Sequence, residues 1–356
     1  MILLRAVAFI AGLSLVLWTL LSAIKTFVLP RGTPDPISGA VFSFVRALFD
    51  LRLRRSQGYL QRDRTLAFYA PISLLALVPA WYTLVTIGYM SLYWGLGTSS
   101  VQEALRYSGS SLLTLGFSSS PNLLITLVGF SEAAIGLLLV ALLIAYLPTM
   151  YAAFSRRESA VTLLEVRAGS PPSATEMLQR YYRNHGLEQL RQVWHTWEIW
   201  FADIEESHTS LPALVFFRSP QPNHSWITAA GAVLDCAALT LSAVEIPYDV
   251  AAALCIRAGF LALRRINDFF GYRHIPDPHY PDTPIQVTRV EFNQAIQQLA
   301  VSGLPLKDDM EQAWLDFAGW RVNYDSVLLR LAALTSAPTA PWSSDRSGSY
   351  QTLPDM

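Results

Sequence analysis

Long apolar runs dominate the chain up to Arg156, and the mixed polar pattern of a soluble domain takes over beyond it. The first run, Ala6 to Ile24, is bounded by Arg5 and Lys25. No charge occurs between Arg64 and Glu103, and between Arg106 and Arg156 the only charge is Glu132. Nearly uncharged apolar stretches of roughly 18 residues or more have the length to cross a bilayer. The pattern therefore predicts an all-α membrane protein with spans in 1–29, within 66–96 and over 123–154. Pro71 and Pro79 lie in the second span, where neighbouring helices can satisfy the freed backbone groups. A cleaved signal peptide competes for the first run. Its length and the absence of a small-x-small site before Lys25 argue against cleavage.

The segment 30–65 carries Arg31, Arg46, Arg52, Arg54, Arg55, Arg62 and Arg64 against Asp35, Asp50 and Asp63, with Lys25 just before it. So basic a short loop is expected to stay cytoplasmic. Phe42, Val45, Phe49 and Leu53 recur at helical spacing within it. That predicts either an interfacial helix with anionic lipid as partner along 42–64, or a solvated linker. Ser155-Arg156-Arg157-Glu158 places the end of the third span inside as well. With the first span counted, the N-terminus is expected outside and the domain 158–335 in the cytoplasm of a plasma-membrane protein.

Helical signals continue through 158–335. Ser173-Ala-Thr-Glu176 has the form of a capping box. Leu187, Leu190, Trp194, Trp197, Phe201 and Ile204 form one apolar stripe, and Met310, Trp314, Phe317, Tyr324, Leu328 and Leu331 another, both of the kind that marks a core or interface. Ile227–Val244 and Asp249–Leu263 suit either a membrane hairpin or one buried in the soluble domain. The second is favoured, because an Asp such as Asp235 at the centre of a span costs about 2.5–3.5 kcal/mol. Residues 336–356, rich in Ser, Pro and Asp, predict a disordered tail.

Composition adds exclusions. The chain is 52% hydrophobic with a net charge of −1, which calls for no nucleic-acid partner. Its two cysteines, Cys236 and Cys255, suit a reducing compartment. No nucleophile elbow, phosphate loop or glycine-rich nucleotide fold is present, so neither an enzyme nor a bound cofactor is expected. His274, Asp277, His279 and Asp282 sit on a proline-rich loop whose spacing matches no metal site, and His195 and Glu198 suit a solvated pair.

The most specific signal is Ser110-Ser-Leu-Leu-Thr-Leu-Gly-Phe-Ser118, set between the second and third spans. Ser100-Val-Gln-Glu103 caps a predicted pore helix over 101–113. Thr114-Leu115-Gly116-Phe117-Ser118 follows it, and Glu132-Ala-Ala-Ile-Gly136 lies in the third span. Over about 66–157 the chain resembles the bacterial two-helix potassium channels of the pore-loop superfamily, whose filter is Thr-Val-Gly-Tyr-Gly. The resemblance implies a span–pore helix–filter–span unit with an added N-terminal span and a helical cytoplasmic domain. It further implies Thr114 to Ser118 as the selectivity filter, potassium ions as its occupants, and a homotetramer.

Gly116 suits the left-handed backbone such a turn needs, and Phe117 is expected to brace the filter against the pore helix. Ser110, Ser111 and Glu132 are expected to support the filter from behind, with Glu132 either bonding one of the two serines or titrating and influencing gating, the first being favoured. Gly136 is either a gating hinge or a site of close helix packing, and Pro148 is expected to splay the inner end. Two departures affect selectivity. Ser118 replaces a glycine, at a strain of roughly 1–2 kcal/mol if left-handed, and Ser119 replaces the usual acid. A weakly selective cation channel is the neighbouring alternative. A non-conducting receptor or scaffold, using the pore fold for assembly, is the more distant one.

Overall fold

The computed structural model describes residues 2–29, 33, 35–53 and 58–346. Arg31, Arg54, Arg55 and the stretch 347–356 of the expected tail lie outside the described residues. The described chain is helical throughout, with one isolated β-bridge between Val244 and Leu306. Its helices are α1 (Ile2–Phe27), α2 (Pro36–Leu53), α3 (Tyr59–Leu66), α4 (Tyr69–Gly95), α5 (Val101–Leu112) and α6 (Leu123–Ala168). There follow α7 (Ala174–Arg183), α8 (Leu190–Ser210), α9 (Trp226–Ala243), α10 (Val250–Phe269), α11 (Arg289–Val301), α12 (Met310–Arg321) and α13 (Asp325–Thr335). Four helical stretches are long and apolar enough to cross a membrane: Ile2–Phe27, Tyr59–Gly95, Leu123–Ala168 and Trp226–Ala243.

The chain divides into two compact units, Met1–Gln57 with Thr65–Ala152, and Gly58–Arg64 with Ala153–Met356. In the first, α1 runs antiparallel to α4 because small residues let the two backbones approach. A side chain at Gly12 would stand 2.5 Å from the Gly88 carbonyl, and one at Gly95 would stand 2.8 Å from Phe9 Cβ. At the other end of the pair, buried Trp81 of α4 donates to Ser22 Oγ of α1 at 3.0 Å. Ser22 in turn donates to Asp35 at 2.6 Å, and the same carboxylate oxygen accepts the Ser38 N–H at 2.8 Å in the first turn of α2. One buried polar relay thus fixes α1, α2 and α4 together.

The faces of α2 differ from the sequence expectation. Phe42, Val45, Phe49 and Leu53 turn inward, and the rings of Phe42 and Phe49 lie 6.2 and 5.9 Å from Tyr69 of α4. Phe44, Leu48 and Leu51 are the exposed apolar stripe. The inner span also outlasts its expected end at 154. Helix α6 continues through Pro148 and the charged run 156–158 to Ala168.

In the second unit α9 is the core. All eighteen of its residues are buried, with α7, α10, α12 and α13 packed around it. Asp235, at its middle, accepts from Arg321 Nη1 at 2.5 Å and from the Tyr324 hydroxyl at 2.8 Å. Helix α9 is therefore enclosed within this unit, while α10 packs against it and leaves Val250 and Leu254 exposed. The Trp-rich stripe is core as well: Leu190, Trp194, Trp197, Phe201 and Ile204 are all buried. Disorder does not extend over the described part of the tail. Ala340, Trp342, Ser343 and Ser344 are buried, and the Trp342 ring packs 5.5 Å from Phe317.

The expected capping box at Ser173 is absent. Ser173 starts α7 without a side-chain cap, its hydroxyl meeting Thr175 at 2.9 Å, while Glu176 pairs with Arg180.

Candidate functional site

Helix α5 begins at Ser100, whose hydroxyl accepts the Glu103 N–H at 3.2 Å. The return arm of the expected box goes one residue further back: Glu103 accepts the N–H of Ser99 at 2.8 Å and its hydroxyl at 2.7 Å. Helix α5 is amphipathic and buries Ala104, Ser108, Ser110 and Leu112. Its buried serines have separate tasks. Ser108 donates to Glu132 of α6 at 2.5 Å, and the second Glu132 oxygen accepts the Tyr93 hydroxyl of α4 at 2.8 Å. Glu132 is fully buried, so this fork pins α5 to both α4 and α6. Its partners are Ser108 and Tyr93, in place of the expected Ser110 or Ser111.

The backbone leaves the helix at Leu113 and turns over Ser110. Leu115 and Gly116 both donate to the Ser110 carbonyl, at 2.9 and 3.2 Å, and Thr114 donates to the Ser111 carbonyl at 2.9 Å. Gly116 has φ +70°, as its residue type suggested. Thr114 has φ +54°, which no sequence signal indicated, because β-branched residues rarely occupy that region. Ser118 has no positive φ, so the strain expected from its missing glycine does not arise. Among the described residues, no hydrogen bond uses the carbonyl oxygens of Thr114, Leu115, Gly116 or Phe117. Phe117 is 64% exposed in the single chain and does not brace the turn against α5.

In a regular extended strand successive residues face opposite sides. Positive φ at every second residue rotates alternate peptide planes, and successive carbonyls can then face one side. The C-terminal end of α5 adds partial negative charge at the same place. Among the described residues, four carbonyls without a hydrogen bond therefore follow the negative end of α5.

Gly136 sits where α6 crosses the end of α5. A side chain there would stand 2.2 Å from the Leu112 carbonyl oxygen, and the Tyr82 hydroxyl donates to the Gly136 carbonyl at 2.8 Å. Close packing is the role this geometry supports for Gly136. Pro148 lies twelve positions further along α6, away from this cluster.

Spacing gave no sign of a second polar cluster, at the start of the helical unit. Arg157, fully buried, pairs with Glu158 and donates to the carbonyls of Leu214 at 2.8 Å and Phe217 at 2.7 Å. It also lies 3.2 Å from His208 Nε2. Because a guanidinium only donates, Nε2 must accept and the imidazole is neutral. Burial, and then the Arg157 charge, hold His208 well below its ordinary value of 6.5. The unfolded chain thus takes up this proton more readily than the folded one as pH drops. Stability should be level above about pH 6.5 and fall below it, by about 1.4 kcal/mol for each unit of depression. Melting temperature measured against pH, with His208→Gln flattening the acid limb, checks this. An identical acid limb in the variant would assign it elsewhere.

Comparison with known proteins places the chain in no group: no family model, no curated protein and no solved structure matches it.

Proposed function

We propose that four copies of this chain form a cation pore, with Thr114 to Ser118 as the filter and potassium as the ion conducted. The observation that carries the proposal is the run of four carbonyls without a hydrogen bond after α5, among the described residues, with positive φ at Thr114 and Gly116. A single turn cannot surround an ion, so the filter requires copies arranged about one axis. Each would project the negative end of α5 toward a shared cavity, which favours cations over anions. The long apolar helices α1, α4 and the first part of α6 supply the membrane spans. In this reading the N-terminus is outside, the helical unit is cytoplasmic, and gating acts through α6, whose residues belong to both units.

The test is flux from liposomes holding the purified full-length protein, with potassium and sodium gradients run separately. Potassium flux that exceeds sodium flux is the expected result. Equal fluxes would make it a weakly selective cation pore. No flux under any condition would overturn the channel reading in favour of a receptor or scaffold.

A further inference from the structure

Ser110 meets the turn in a way that neither the filter pattern nor the Glu132 fork explains. Its hydroxyl accepts the Ser118 N–H at 3.0 Å and donates to the Ser118 carbonyl at 3.3 Å. Its own carbonyl already holds the N–H groups of Leu115 and Gly116. Among the described residues, Ser110 Oγ is the only side-chain atom hydrogen-bonded to the stretch 114–118. We propose that Ser110 is the positioning residue of the outer filter, clamping both backbone groups of Ser118 with one hydroxyl so that the ion ligands end at Phe117. The inference rests on the channel reading.

The chemistry is specific to a hydroxyl. A hydroxyl donates and accepts at once, whereas an ionised carboxylate only accepts and an apolar side chain does neither. Ser110 is 2% exposed and held in the last turn of α5, so the clamp point is rigid. The arrangement also accounts for the serine at the fifth filter position. The clamp holds Ser118 at negative φ, where glycine has no advantage. It engages the Ser118 carbonyl as well, leaving the four carbonyls of Thr114 to Phe117 for the ion. Phe117 carries no hydroxyl with which to anchor itself, so the outer filter depends on Ser110 for its width. A filter whose width is not held loses its preference between ions of different radius.

The experiment compares wild type, Ser110→Ala and Ser110→Thr, each as full-length protein in liposomes. Two quantities are read: the ratio of potassium to sodium flux, and hydrogen exchange at the Ser118 amide. Ser110→Ala removes one oxygen and introduces no clash. It should lower the flux ratio about tenfold, the scale of one lost hydrogen bond, and speed exchange at Ser118. Ser110→Thr keeps the hydroxyl and should retain both properties. An unaltered ratio and exchange rate in Ser110→Ala would overturn the clamp, as would a loss of both properties in Ser110→Thr equal to that in Ser110→Ala. Wild-type protein that passes neither ion overturns the channel reading, and the exchange rates then decide the clamp alone.

Discussion

Gly136→Ala is expected to abolish ion flux and to lower the melting temperature of the protein. An exposed helical glycine replaced by alanine ordinarily gains about 1 kcal/mol, so the predicted sign is reversed. The reason is the 2.2 Å approach of a Cβ at this position to the Leu112 carbonyl, which is backbone and cannot rotate aside. Either α6 moves outward or the end of α5 moves with the turn attached to it. Overpacking of this kind costs about 1–3 kcal/mol, and here the displacement falls on the residues that present carbonyls to the ion. Gly129, two turns earlier on the same helix, is the internal comparison. A Cβ there comes nearest to the Ser111 hydroxyl at 3.0 Å, an atom that can rotate, with the Tyr93 hydroxyl at an ordinary contact distance of 3.5 Å. Gly129→Ala should therefore retain flux. If Gly136→Ala altered the flux while the melting temperature held, a hinge at this position would be the better account. Wild-type behaviour in both measurements would mean that α5 and α6 do not touch there.

The elements around the turn were legible because their signals are local. Uncharged length marked α1, α4 and α6, a serine cap marked the start of α5, and Gly116 marked the left-handed point of the turn. Contacts between elements were not legible to the same degree. Glu132 was visible as a lone carboxyl in a span, yet its partners lie 24 and 39 residues away on helices whose rotation no spacing reveals. Helix α2 carries apolar residues on two faces, Phe42–Val45–Phe49–Leu53 and Phe44–Leu48–Leu51, and helical periodicity alone does not say which is inward. Arg157 resembled the charged end of a span because arginine is rarely buried. It is buried here because carbonyls from 214 and 217, distant in sequence, satisfy its donors. The serines and prolines of the tail read as disorder, while the Trp342 ring against Phe317 and the pairing of Arg346 with Glu291 anchor its described part to the core.

The helical unit depends on one side chain more than on any other polar group, and its loss should be the largest single destabilisation in that unit. Arg321 is fully buried and bonds Asp235 on α9, Asp325 at 2.7 Å on α13, and the Trp342 carbonyl of the tail at 2.5 Å. Asp325 is further tied to the Gln286 N–H at 2.9 Å, and Asp235 to the Tyr324 hydroxyl. Arg321→Met preserves bulk but leaves two buried carboxylates facing each other without a cation. Breaking a buried ion pair from one side costs about 3–5 kcal/mol, because the remaining charge stays desolvated. Arg321→Lys should recover only part of this, since one ammonium cannot reproduce the guanidinium fork that spans both acids. Denaturant unfolding of the full-length protein in detergent, followed by tryptophan emission, measures the effect. A double replacement, Arg321→Met with Asp235→Leu, separates charge from packing: it should regain stability over Arg321→Met alone, because the carboxylate most enclosed by α9 is then gone. Equal loss in the single and double variants would show that Arg321 acts chiefly through the Trp342 carbonyl, as the bolt that holds the tail rather than as the counter-charge of the core.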